Sequence, residues 1–290
     1  MKQRQIGPDG PLVGAIGLGA MPMSVTSTRP SVDDSVRVLL RAAELGVTLW
    51  DTADAYCIDD TETGHNERIF AAALKQLPAD LRAKVIVATK GGHVRPSGRW
   101  DTDGRPEHLR EAVDASLKAL GVDQIDLYQF HRPDPKVPFE DSVAAVAEAH
   151  AAGKVRWVGL SNVSAAQIDV AVKIVPVASV QNQYSPKHRN PERDGVLAKC
   201  QELGLAFLPY SPLGGMGGAK AIGETGKLGD AATELGVSPQ QVVLAWLLSK
   251  YERVIPIPGA SRIASVEDCA GAADLALTPE LIAALDASFA

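Results

Sequence analysis

The chain has 290 residues, 46% hydrophobic and 22% charged, with a formal net charge of −6 and three cysteines. That length and apolar content suit one sizeable core and match one α/β barrel domain spanning residues 1–290. The mild acidity without a continuous basic stripe argues against nucleic acid as a partner, and the scattered Cys57, Cys200 and Cys269 argue against a disulfide framework or thiolate metal cluster.

The start, Met1 to Gln5, is polar and no later apolar run approaches bilayer length, so a cytoplasmic protein without a membrane partner is expected. Short apolar, β-branched-rich runs then recur: Val13–Leu18, Val47–Trp50, Val85–Thr89, Ile125–Phe130, Val155–Leu160, Val177–Gln181, Leu205–Leu208 and Val254–Ile257. They are apolar nearly throughout, as strands buried on both faces of a parallel sheet must be. Helical periodicity fills the gaps between them. Leu109, Val113, Leu117 and Leu120 share a face, with Pro106 in the first turn and Gly121 past the end. Phe139, Val143 and Val146 repeat the pattern before Gly153, and Ser238-Pro239 opens a helix carrying Val242, Val243, Trp246 and Leu247. Eight strand–helix units predict a (β/α)8 TIM barrel of the α/β class, with an extra C-terminal helix at Pro279–Ser288. A glycine-rich stretch, Gly214-Gly215-Met216-Gly217-Gly218, follows the seventh strand and reads as a mobile loop at the barrel's C-terminal end.

Polar residues stand at the downstream ends of predicted strands: Asp51, Lys90 and His131, with Tyr56 five residues beyond Asp51. In a barrel these positions converge on one pocket. A free phenol with a pKa of about 10 is a weak acid near neutrality. A nearby ammonium lowers that value, and an aspartate keeps the ammonium charged and oriented. A neutral His131 can then hydrogen-bond a carbonyl oxygen while Tyr56 delivers a proton.

At this point the sequence resembles the aldo-keto reductase family. The resemblance lies in the stretch from Gly46 to Tyr56, the stretch from Ala119 to His131, Gly153 to Asn162, and Tyr210-Ser211-Pro212-Leu213. It implies reversible, NADPH-dependent reduction of aldehydes and ketones to alcohols, with Asp51, Tyr56, Lys90 and His131 as a catalytic tetrad and Tyr56 as general acid. By the same resemblance Ser161, Asn162 and Gln183 hold the carboxamide of the cofactor and Tyr210 stacks on its nicotinamide. Ser211, Pro212, Leu213 and the glycine-rich loop including Gly217 cover the pyrophosphate. At the adenosine end the family pattern is altered. Gly259, Ser261, Arg262 and Ser265 line the stretch after the eighth strand, Arg262 is placed to pair with a 2′-phosphate and Asp268 to accept from the adenine amine, and Cys269 stands where asparagine is usual. NADP(H) is therefore expected, with NAD(H) also open. Met21, Met23, Trp100 and the Cys57–Glu62 loop are candidates for lining the cleft around a small-molecule carbonyl substrate. The chain stops at Ala290 without a long closing loop, so an open pocket with broad carbonyl turnover is expected.

Each residue also has a plainer reading. A single strand-end Asp, Lys or His often serves as an ion pair, Ser161-Asn162 can cap the following helix, Tyr210 can be a core aromatic, Gln183 can satisfy loop carbonyls, and Arg262 can be a solvated arginine. His65, His93, His108, His150 and His188 lack ligand spacing and read as surface or capping residues, with no metal site. Gly17-Leu18-Gly19 begins like a dinucleotide fingerprint, but Pro22 occupies the position of its third glycine, so those glycines read as tight packing at the barrel mouth. Two other classes stay open: a nicotinamide-binding regulatory subunit of the channel-associated type, and a Schiff-base aldolase acting through Lys90. The sequence carries no signal for oligomeric state.

Overall fold

The computed structural model describes residues 1–215, 217–223 and 226–289. Met216, inside the glycine-rich stretch, lies outside the described residues. The chain opens with an antiparallel ribbon, β1 (Gln3–Gln5) and β2 (Leu12–Gly14), in which Arg4 faces Val13. Arg4 fixes this ribbon by donating to the carbonyls of Leu248, Tyr251 and Val254 at 2.7 to 2.8 Å. Seven parallel strands follow: β3 (Leu18–Gly19), β4 (Leu49–Asp51), β5 (Ile86–Gly91), β8 (Ile125–Phe130), β9 (Val155–Ser161), β10 (Val177–Gln181) and β11 (Ala206–Phe207). Between β5 and β8 a small antiparallel hairpin, β6 (His93–Val94) with β7 (Asp101–Thr102), rises from the sheet's C-terminal side.

The curled sheet closes through Val254–Ile257 into a (β/α)8 barrel. On one side Ile255 and Ile257 donate to the carbonyls of Phe207 and Pro209 at 2.9 and 3.1 Å. On the other, Gly17 and Gly19 donate to the carbonyls of Pro256 and Pro258, both at 2.9 Å. Pro256 and Pro258 have no N–H to return, so the eighth segment makes bridges instead of the regular strand expected there. The expected first strand, Val13–Leu18, is also divided. Val13 belongs to the ribbon beneath the barrel and only Leu18 reaches the sheet. Both glycines of the seam are needed for close approach: a Cβ on Gly17 would lie 2.9 Å from Ile257 Cγ2, and one on Gly19 2.8 Å from the Ile257 carbonyl.

The predicted helices form and cover the sheet. Pro106–Leu120 ends at Gly121 with φ 68° and ψ 41°, a left-handed cap that glycine adopts without strain. Ser238 accepts from Gln241 N at 3.1 Å ahead of Pro239–Leu248, and Pro279–Ser288 packs as the extra C-terminal helix. Among the described residues no helix is long and apolar enough to cross a membrane.

Two cores result. Trp50, Val87, Tyr128 and Phe130 point outward into the layer between sheet and helices, while Leu49, Ile86, Ala88, Leu127, Ala206, Leu208, Ile255 and Ile257 fill the barrel above Ile6 and Val13 of the ribbon. Period-two alternation then decides what stands at the open end. Continuing the inward series, Leu49 leads to Asp51, Ala88 to Lys90, Leu127 to Gln129 and His131, Ser179 to Gln181, and Leu208 to Tyr210. The interior therefore changes from apolar to polar towards its C-terminal mouth.

Candidate active site

Lys90 is the centre of that polar layer. Its side chain is fully buried and its Nζ donates to Asp51 Oδ1 at 2.5 Å, to the Thr52 carbonyl at 2.8 Å and to Tyr56 Oη at 3.0 Å. These three bonds use all three ammonium protons. Burial works against its charge, but Asp51 and Tyr56 outweigh burial and leave the Lys90 pKa above its ordinary value. An ammonium so held has no lone pair for Schiff-base attack. The second oxygen of Asp51 accepts from Gln129 Nε2 at 3.1 Å and Gln181 Nε2 at 2.7 Å. Both glutamines lie on the inward series of their strands, and the same alternation that leads to Asp51 and Lys90 identifies them.

Tyr56 is delivered by a turn after β4. The Asp54 amide donates to the Lys90 carbonyl at 3.2 Å, Ala55 N to Asp54 Oδ1 at 2.5 Å, and Gly64 N to the Asp54 carbonyl at 2.8 Å. The start of the helix His65–Leu74 braces this turn: Asn66 accepts from Thr52 Oγ1 at 2.6 Å and donates to the Ala20 carbonyl at 3.0 Å, and Glu67 accepts from Thr89 Oγ1 at 2.6 Å. Sequence reasoning did not single out Asn66 or Glu67; buried polar residues on a helix face otherwise carrying Ile69, Phe70 and Ala73 are the available signal.

Burial is the largest influence on the Tyr56 phenol and raises its pKa, with Lys90 pulling in the opposite direction. The lowering expected from Lys90 alone is therefore overcome, and the phenol stays protonated near neutrality. His131 is held well below the ordinary histidine range, first by burial and then by the Lys90 and Arg132 charges and the neighbouring His93, and is neutral there. Its ring lies edge-on to Tyr56, with centroids 5.8 Å apart.

Asp54 and Glu67 form a buried acid pair behind this turn, and burial raises both pKa values. A carboxyl with a raised folded pKa contributes stability that is fully present below its unfolded value of about 4 and is lost as pH rises through the folded value. Glu67→Gln keeps an acceptor for Thr89 and removes this penalty. Its melting temperature relative to the parent should rise between pH 5 and pH 8, and a pH-independent difference would disprove the effect.

Of the other expected site residues, Ser161, Asn162 and Tyr210 are bonded to one another and to the backbone of His131. Asn162, at φ 58°, donates to Ser161 Oγ and to the His131 carbonyl, both at 3.0 Å, and accepts from Tyr210 Oη at 2.9 Å. Gln183 bridges Tyr210 through the backbone. Ser164, not Ser161-Asn162, caps the next helix by a reciprocal pair with Gln167. Ser211, also left-handed at φ 50°, with Pro212 and Leu213 leads into the turn of Gly214, Gly215 and Gly217. On the far side Gly259 bridges Gly19, and Ser261, Arg262 and Ser265 stand at the start of the helix Ile263–Gly271.

Two expectations are corrected. Met23 is fully buried in the outer core, because the short turn after β3 points it inward, so it does not line the cleft. Cys57 is likewise buried, with its thiol pushed up to about 11 by burial, and Glu62 is held by Arg29 in a two-bond pair at 2.7 and 2.8 Å, so the Cys57–Glu62 loop is a braced wall. The Asp268 oxygens accept from Ser238 Oγ at 2.9 Å and Gln241 Nε2 at 3.1 Å, joining two helices, and each oxygen keeps a lone pair for a further donor. Met21 remains half-buried and Trp100 exposed, its ring 6.5 Å from that of Tyr56. His93, read as a surface residue, instead packs against His131 with centroids 4.3 Å apart, because β6 folds back over the mouth.

A parallel barrel with an Asp–Lys–Tyr–His cluster at its C-terminal mouth defines an oxidoreductase-like architecture, and known proteins specify it further. The sequence profile of the Aldo/keto reductase family matches residues 15–289. The chain is 35% identical over 280 residues to an uncharacterised oxidoreductase of Schizosaccharomyces pombe, covering 95% of this chain and 86% of that protein. It is 33% identical over 306 residues to the NADP(+) aldo-keto reductase yakc of the same yeast, covering 95% and 87%. The crystal structure of an aldo/keto reductase from Klebsiella pneumoniae in complex with NADP and acetate superposes with a TM-score of 0.82 at 26% identity, covering 100% of this chain and 96% of that one. The chain belongs to the aldo/keto reductase family.

Proposed function

We propose that this barrel reduces aldehydes and ketones to alcohols with NADPH, and that Tyr56 is the proton donor. The observation that carries the reading is the three-way bonding of Lys90 to Asp51, Thr52 and Tyr56 at the mouth. The residues present fit a dinucleotide. Tyr210 offers a half-buried ring held by Asn162, and the helix Ile263–Gly271 opens without a side-chain cap beside Arg262, leaving its first amides for a phosphate. The NADP named with the yeast and Klebsiella relatives supports the same choice. When bound, the reduced nicotinamide supplies hydride.

The protein's own contribution is to orient the carbonyl and manage one proton. Neutral His131 donates to the carbonyl oxygen and fixes its angle. Tyr56 gives its proton to that oxygen as negative charge develops, and the Lys90 ammonium stabilises the phenolate left behind, with Asp51 compensating the ammonium. Gln129 and Gln181 position Asp51.

The test is loss of the reduced-nicotinamide absorbance with NADPH and NADH in parallel against aliphatic and aromatic aldehydes, dicarbonyls and ketones. Turnover with NADPH is expected; tight NADPH binding without turnover of any carbonyl would refute the reading. With the Tyr56 pKa raised and that of His131 depressed, kcat/KM for reduction should be flat from about pH 6 to 9. A limb near pH 6.5 that disappears in His131→Gln would show that the imidazole titrates there and is not held neutral.

A further inference from the structure

The rim of the site carries a positive charge that reduction of a neutral carbonyl does not need. Arg132 directly follows His131 and is exposed. Its Nε donates to His93 Nε2 at 3.3 Å, and the His93 ring in turn packs on His131. Its charge also reaches the Tyr210 phenol. The guanidinium thus stands one ring away from the group that orients the carbonyl and beside the Tyr210 shelf.

Some exposed arginines are paired, Arg37 with Asp34, Arg105 with Asp103 and Arg110 with Glu148. Arg68, Arg99, Arg156, Arg193 and Arg262 are exposed without an ion pair among the described residues, so what sets Arg132 apart is its place against His93 and, through it, His131. Arg132 makes no ion pair among the described residues. Of the acids around the mouth, Asp51 is committed to Lys90, and Asp134, two residues beyond Arg132, to the amides of Gly104 and Lys136. The hairpin that carries His93 adds a second cation. Arg95 is buried with its guanidinium 4.0 Å from the Trp100 ring, bonded through Nη2 to the Ile58 and Gly98 carbonyls, while Nε and Nη1 have no partner. The cleft combines an indole face with uncompensated positive charge.

We propose that Arg132 is a substrate-recognition residue selecting carbonyl compounds that carry a carboxylate, such as oxo acids and carboxylated aromatic aldehydes. The proposal rests on the carbonyl-reducing function proposed above. A guanidinium fork matches a carboxylate in two parallel bonds, and the Trp100 face accepts the flat apolar body between carboxylate and carbonyl. At a solvated rim one such pairing favours the anionic substrate by about tenfold.

The test compares kcat/KM of the purified full chain with NADPH for 4-carboxybenzaldehyde and for its neutral methyl ester. The acid-to-ester ratio should be about tenfold, carried by KM and reduced by added salt. It should fall to near one in Arg132→Met and be partly retained in Arg132→Lys. Equal efficiency for both compounds in the parent overturns this proposal alone, as does a ratio unchanged in Arg132→Met. Weaker NADPH binding in Arg132→Met at constant ratio also overturns it, assigning the charge to the cofactor. No turnover of either compound overturns the carbonyl-reducing function and this proposal with it.

Discussion

Tyr56→Phe should reduce kcat by about 10²- to 10⁴-fold, the range a positioned general acid contributes, while leaving NADPH affinity within a few-fold of the parent. The ring remains, so its edge contacts with His131 and Trp100 survive, and only the hydroxyl bonded to Lys90 Nζ at 3.0 Å is removed. Lys90 keeps Asp51 and the Thr52 carbonyl as partners, so its charge stays satisfied and the fold should hold. The measurement is single-turnover hydride transfer with a fluorescence titration of NADPH. A rate within threefold of the parent would remove Tyr56 from the proton's path and require another donor. Loss of cofactor binding in the same variant would point instead to a collapsed loop.

The difference between what was and was not visible in the sequence follows from range. The Asp51, Lys90 and His131 positions could be read because each ends an apolar run, and a parallel barrel sends such ends to one mouth. Gln129 and Gln181 were equally readable from alternation, but Gln129 sits inside its run and Gln181 is counted as the last residue of its own, so neither stands out as a polar residue beyond a strand end. The division of Val13–Leu18 was hidden because Val13 and Leu18 are both buried, one by the ribbon below the barrel and the other by the sheet. The irregular eighth segment was visible in Pro256 and Pro258, whose missing amides fall on the seam with Gly17 and Gly19. Met23 and His93 depend on how short turns fold back, which local composition does not determine.

The same geometry predicts which change costs the most stability. Lys90→Met removes the cation from a fully buried pair and leaves Asp51, 1% exposed, with only the two glutamine amides as partners. Breaking a buried pair from one side costs about 3–5 kcal/mol, because the remaining charge is neither solvated nor neutralised. At about 2–4 °C per kcal/mol for a chain of this size, the midpoint should fall by roughly 6–20 °C. Activity should fall as well, since the phenolate would form without its ammonium. Adding Asp51→Asn to Lys90→Met removes the stranded charge while keeping an oxygen for the Gln129 and Gln181 amides. The double variant should therefore regain roughly half of the loss, a coupling of about 2 kcal/mol between residues that touch. It should remain without turnover. Thermal melts of the parent, both singles and the double complete the cycle. Additive effects would mean that Asp51 and Lys90 do not act as a pair, whereas partial recovery of stability without recovery of turnover would separate the pair's part in the fold from its part in proton transfer at Tyr56.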